Sequence, residues 1–134
     1  METPMIGGVR GTVLIVDDEP MVLRMAAQAL ERVGYATLCA GTAHEAETIC
    51  REHPGEIDAL VMDVILETTR GYDAVPCLRT LRKALKVLYI SGYPGQLVFE
   101  LQRIPDPFLS KPFSPDALAA AVDRLIARDA GAGS

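Results

Sequence analysis

Residues Ala59-Leu60-Val61-Met62-Asp63 are four apolar positions closed by a single carboxylate. A run this short, bounded by polar segments, has the pattern of a strand buried on both faces of a parallel sheet. That pattern puts Asp63 at the strand's carboxyl end, the edge at which open α/β sheets bind ligands. Two other runs end in the same way: Thr12 to Val16 leads into Asp17-Asp18, and Val87 to Ile90 leads into Ser91-Gly92. A fourth, Phe108-Leu109-Ser110, leads into Lys111. Parallel, adjacent strands would gather three carboxylates, a hydroxyl and an ammonium on one rim.

The segments between these runs carry helical spacing. Glu19 and Pro20 open a helix, because proline suits a first turn and an acid there complements the dipole. Leu23, Ala26, Ala27, Leu30 and Val33 give it a buried stripe, and Gly34 is placed to end it. Tyr35 to Ala40 is a weaker strand. Thr42 with Glu45 forms a capping box for a helix whose stripe is Ala43, Ala46 and Ile49 or Cys50. A helix from about Tyr72 to Ala84 buries Val75, Leu78 and Leu81, and requires Pro76 in its first turn. Pro94 to Arg103 is a short helix of poor pattern, and Ile104-Pro105-Asp106-Pro107 is a turn. Ser114-Pro115-Asp116 starts a last helix with the stripe Leu118, Ala121, Val122, Leu125 and Ile126. Five strands alternating with five helices predict a single open parallel sheet covered on both faces.

A chain of 134 residues makes one domain, with residues 1–11 and 129–134 as flexible ends. Aromatic residues are only 5%, so aliphatic side chains must build the core. The formal net charge of -5 argues against nonspecific binding to nucleic acid or an anionic membrane. Cys39, Cys50 and Cys77 are odd in number and contain no CxxC pair, which predicts reduced, packing cysteines in a cytoplasmic protein. No apolar stretch approaches the roughly 20 residues of a membrane helix, and residues 1–10 lack the layout of a signal peptide. His53 is placed as a cation at a helix end.

The rim has a definite chemistry. An aspartate can act as a nucleophile and accept a phosphoryl group as an acyl phosphate. The transition state spreads negative charge over the phosphoryl oxygens, so catalysis consists largely of positioning and cations. Clustered carboxylates repel unless a divalent cation neutralises them, and Mg²⁺ suits such oxygen donors. Lys111 supplies a mobile positive charge for the phosphate or for Asp63, and Ser91 a hydroxyl donor.

Val16-Asp17-Asp18-Glu19-Pro20, Met62-Asp63 with Gly71 eight residues on, Ile90-Ser91-Gly92 and Lys111-Pro112-Phe113 together resemble the receiver domain of two-component response regulators. The phrases around Ser91 and Lys111 most resemble receivers of hybrid sensor histidine kinases. The resemblance spans residues 12–128 and implies a flavodoxin-like (βα)5 three-layer sandwich with strand order 2-1-3-4-5. It implies that Asp63 is the phosphoacceptor, that Ser91 and Lys111 contact the phosphate, and that Phe108 is the switch aromatic. It implies Mg²⁺ held by Asp18 directly, by Asp17 largely through water, by Asp63 and by the backbone carbonyl of Ile65. It also implies a cis Lys111-Pro112 bond. The partner would be a histidine kinase or histidine phosphotransfer domain. The responsive surface would be the helix after Ser91, the strand to Ser110 and the last helix, which could also pair two copies.

Two positions depart from the family pattern. Glu67 stands where a proline is usual, four residues after Asp63, which frees that loop. Ile65 is apolar where access of water to the phosphoryl group is set, and is expected to slow hydrolysis. An Mg²⁺-dependent phosphatase with an aspartate nucleophile would also use Asp63 and Lys111, but its second acid belongs where Ile65 stands. A docking module that ignores phosphorylation is the other alternative. With no basic helix-turn-helix, direct DNA binding is not expected. A receiver catalyses only its own phosphorylation and dephosphorylation, so the chain is not expected to be an enzyme in the ordinary sense.

Overall fold

A computed structural model describes residues 10–64, 71–92 and 106–132. The aliphatic runs form five strands: β1 (Thr12–Val16), β2 (Ala36–Ala40), β3 (Ala59–Asp63), β4 (Lys86–Ser91) and β5 (Phe108–Ser110). All pair in parallel, in the order β2-β1-β3-β4-β5. Between them lie α1 (Pro20–Arg32), α2 (Ala43–Glu52) and α3 (Gly71–Leu81), and a C-terminal helix runs over Pro115–Ala132. This is the doubly wound, flavodoxin-like sandwich that the sequence implies, and β3 lies at its centre.

Successive side chains point to opposite faces of a strand, so each buried strand serves two cores. Leu14, Val16, Leu60 and Met62 pack with Ala46 and Cys50 of α2 and with Val75 and Leu78 of α3. Val13, Ile15, Val61 and Ile90 pack with Ala26 and Leu30 of α1 and with Leu118, Val122 and Leu125 of the C-terminal helix. β3 is buried along its whole length, which explains its unbroken apolar run.

The helix ends largely follow the sequence signals. Gly34 adopts φ +105°, a left-handed conformation that glycine tolerates, and its N–H bonds the Glu31 carbonyl at 3.0 Å. Thr42 Oγ1 accepts from the Glu45 N–H at 3.0 Å. Glu45 reaches back one residue further than a standard capping box, taking the Gly41 N–H at 2.6 Å. Ser114 Oγ accepts from the Ala117 N–H at 3.0 Å.

Other expectations need correction. The helix α3 begins at Gly71, which moves Pro76 out of the first turn and into the helix interior. Its ring there costs one ladder hydrogen bond, and the Pro76 carbonyl still accepts from Thr80 Oγ1 at 2.9 Å. The last helix continues to Ala132, into the residues 129–134 assigned to a tail. His53 stands at the C-cap of α2, as expected, and Arg82 at the end of α3 also reaches there. The Arg82 guanidinium donates to the carbonyls of Cys50 at 2.8 Å, His53 at 2.6 Å and Gly55 at 2.7 Å. Cys50 is core, but Cys39 and Cys77 are exposed, and all three thiols are free. Residues 1–9, the loop holding Ile65 and Glu67, and the helix expected over 94–103 lie outside the described residues.

Candidate functional site

The parallel register brings the strand ends together. Val16 pairs with Met62, so Asp17 follows β1 beside Asp63 at the end of β3. Asp63 pairs with Ile90, and Ser91 pairs with Ser110, so Ser91 and Lys111 lie along the same rim. The Lys111 N–H bonds the Ser91 carbonyl at 2.6 Å, and the Lys111-Pro112 bond is cis, as expected.

Asp17, Asp63 and Ser91 are all buried, whereas Asp18 is exposed. Carboxylate oxygens of Asp17, Asp18 and Asp63 all lie within 4.8 Å of one another. Two donors across an Mg²⁺ ion lie about 4.2 Å apart, so this cluster has the size and the hard oxygen chemistry that such an ion needs. One atom adds weight. Asp17 Oδ2 is fully buried and has no hydrogen-bond partner among the described residues. The Lys111 ammonium stands 2.8 Å away, close enough for a strong ion pair but not aligned as a hydrogen-bond donor. The other oxygen, Oδ1, accepts from the Glu19 N–H at 2.8 Å.

Lys111 is the hub of the charge cluster. Its Nζ lies 2.8 Å from Asp17 Oδ2, 3.1 Å from Glu19 Oε1 and 3.4 Å from Asp63 Oδ2. Burial pushes the ammonium toward its neutral form. The Asp17 contact, the charges of Asp63 and Asp17 and the hydrogen bond to Glu19 outweigh that and hold its pKa above the usual lysine range. At neutral pH it is therefore a fixed positive charge beside Asp63.

The structure thus gathers Asp17, Asp18, Asp63, Ser91 and Lys111, as the sequence predicts. Phe108 lies at the start of β5, paired with Tyr89, and is 39% exposed. The carbonyl of Ile65 lies outside the described residues. Sequence reasoning missed Glu19 as a member of the site. It was assigned to the helix dipole, but its side chain caps nothing and turns to Lys111 instead.

A doubly wound sheet with a cluster of carboxylates and one lysine at its strand ends narrows the chain to one class of signalling domain. Residues 13–123 match the profile of the response regulator receiver domain, and the chain belongs to that family. It is 34% identical over 118 residues to the sensor kinase CckA of Brucella abortus. It is 30% identical over 121 residues to the transcriptional regulatory protein AruR of Pseudomonas aeruginosa. These matches cover 86% and 87% of this chain but only 12% and 49% of the relatives' lengths. The crystal structure of the receiver domain from the hybrid histidine kinase CckA superimposes with a TM-score of 0.74 at 32% identity, covering 87% of this chain and 99% of that one. A CheY-like receiver from Methanospirillum hungatei gives 0.76 at 26% identity, covering 88% and 94%. Among the described residues, no helix is long and apolar enough to cross a membrane.

Proposed function

We propose that this receiver accepts a phosphoryl group on Asp63 from the phosphohistidine of a histidine kinase or phosphotransfer domain. The observation that carries the reading is the Lys111 ammonium held 3.4 Å from a buried Asp63 beside two further aspartates. An Asp63 oxygen attacks phosphorus, the P–N bond breaks, and the departing imidazole keeps the electron pair and takes up a proton. Asp17, Asp18 and Asp63 would hold Mg²⁺, with the Ile65 carbonyl completing the set, and the ion would neutralise charge on the phosphoryl oxygens. Lys111 exchanges its carboxylate partners for a phosphoryl oxygen, and the Ser91 hydroxyl donates to another.

The added group brings roughly -1.5 to -2 charges, and drawing Ser91 toward it would open space for Phe108 to turn inward. The half-exposed ring supports this assignment, since it is not committed to the core. The responding surface is then β5, the C-terminal helix and the segment between β4 and β5. That surface engages the downstream partner or a second copy, with no role for nucleic acid or membrane. The work is done in the cytoplasm, by a regulator of one domain or by the receiver of a hybrid kinase.

Intact mass after incubation with acetyl phosphate tests the reading. A gain of about 80 Da that needs Mg²⁺ and is lost in Asp63→Ala is the expected result. Steady phosphomonoester turnover would instead identify a phosphatase. Absence of any adduct, even with a cognate phosphohistidine donor, would leave a docking module.

A further inference from the structure

The ammonium of Lys111 and a bound divalent cation draw on the same two carboxylates. Nζ contacts Asp17 and Asp63, and both carboxylates belong to the cluster able to hold an ion. An ammonium and a doubly charged cation a few ångströms apart repel one another, so an arriving ion must displace Lys111 from at least one of them. Its third partner, Glu19, is not in the ion's donor set. The Glu19 side chain is 62% exposed, against 0% for Asp17 and 8% for Asp63, so it marks the solvent side of Lys111.

Glu19 is also built to stay there. Its N–H is fixed to Asp17 Oδ1, and its carbonyl accepts from the N–H groups of Val22 and Leu23, each at 3.1 Å. It occupies the N-cap of α1, where a shorter polar side chain would bond the helix end. Its own side chain makes no such bond and serves Lys111 instead.

The geometry points to Glu19 as a positioning residue: its carboxylate is the berth to which Lys111 withdraws when a divalent cation takes Asp17 and Asp63. Glu19 lowers the cost of ion binding by keeping the displaced ammonium paired and close to Asp63. The inference rests on the phosphoacceptor reading of the site, but it concerns the step before any phosphoryl group arrives.

The test is a double-mutant cycle on Mg²⁺ affinity, measured by titration calorimetry on the full chain. Glu19→Gln keeps the backbone bonds and is expected to weaken Mg²⁺ binding about two- to fivefold, the range of one partly exposed ion pair. In a Lys111→Ala background the same substitution is expected to change affinity less than about twofold. Loss of equal size in both backgrounds would mean that Glu19 acts on the ion only through its charge, and would overturn the inference. No loss in the wild-type background would overturn it as well. If Lys111→Ala does not fold, Lys111→Met provides the same background. Phosphorylation is read separately, by mass. A chain that shows the coupling but takes no phosphoryl group overturns the proposed function and leaves this inference standing; a phosphorylated chain without the coupling does the reverse. A wild-type chain that binds no Mg²⁺ overturns both.

Discussion

Replacing Lys111 with alanine removes the positive charge that holds the aspartate cluster together. Two of its partners are buried, Asp17 with a side chain 0% exposed and Asp63 at 8%, at 2.8 and 3.4 Å from Nζ. Charges about 4 Å apart interact by about 4 kcal/mol at an effective dielectric constant near 20. The variant forfeits two such attractions and leaves the aspartates repelling one another. It also recovers the cost of desolvating the ammonium, and water enters the vacated space. The net loss is expected at about 2–4 kcal/mol, near the range for stripping one partner from a buried pair. Urea unfolding followed by circular dichroism, in EDTA and then with Mg²⁺, reads it directly. In EDTA the midpoint falls with little change in slope. Mg²⁺ returns more stability to the variant than to the wild type, because the ion then supplies the missing charge. Adding Asp17→Asn to Lys111→Ala restores part of the loss, since one uncompensated charge is gone. A Lys111→Ala chain as stable in EDTA as the wild type would refute the account of Lys111 as the charge that permits the cluster.

Further outcomes concern groups outside the site. Arg82→Lys should destabilise by about 1–3 kcal/mol, because an ammonium cannot match the fork that reaches three carbonyls at the end of α2; equal thermal midpoints would refute this. Thr42→Ala should cost about 1 kcal/mol by freeing the Glu45 N–H, read from the urea midpoint. Stability should fall as pH rises from 10 toward 12. Tyr35 is raised to about 12 by burial and its hydrogen bond to Asp123, and Tyr89 to about 12 by burial and the nearby Asp106. The unfolded chain loses these two protons near pH 10 while the folded chain still holds them, so the folded state binds more protons and the slope is negative. Tyr35→Phe should flatten that fall in a series of urea midpoints.

The strand frame was legible because buried parallel strands are rich in aliphatic residues, and Val13 to Val16, Ala59 to Met62 and Val87, Leu88 and Ile90 follow that rule, with Tyr89 as an aromatic among them. The site followed from it, since Asp17, Asp63, Ser91 and Lys111 each stand just at or after a strand end. What escaped reading depends on long side chains. Glu19 carries a helix-start signal in its sequence context, and its contact with Lys111 joins residues 92 positions apart. Arg82 likewise crosses from the end of α3 to carbonyls 27 to 32 positions earlier. Local periodicity holds no trace of either contact. Pro76 was misplaced for a related reason: its rule fixes where proline is cheap, and the packing of Val75 and Leu78 on either side outweighs one lost bond.

Among the described residues, the buried side chains fall into two cores, one on each face of the sheet. A substitution under α2 and α3, such as at Leu78, and one under α1 and the C-terminal helix, such as at Leu118, fall in different cores. Their effects on stability should add. Over evolutionary time each layer can then drift without consulting the other, changing helix faces and the partners they meet. The carboxyl ends of β1, β3 and β4 have no such freedom, because Asp17, Asp63 and Ser91 are buried there and one ammonium answers to carboxylates from two strand ends. The sheet acts as a party wall: variation is private to each side, and the shared rim is held in common.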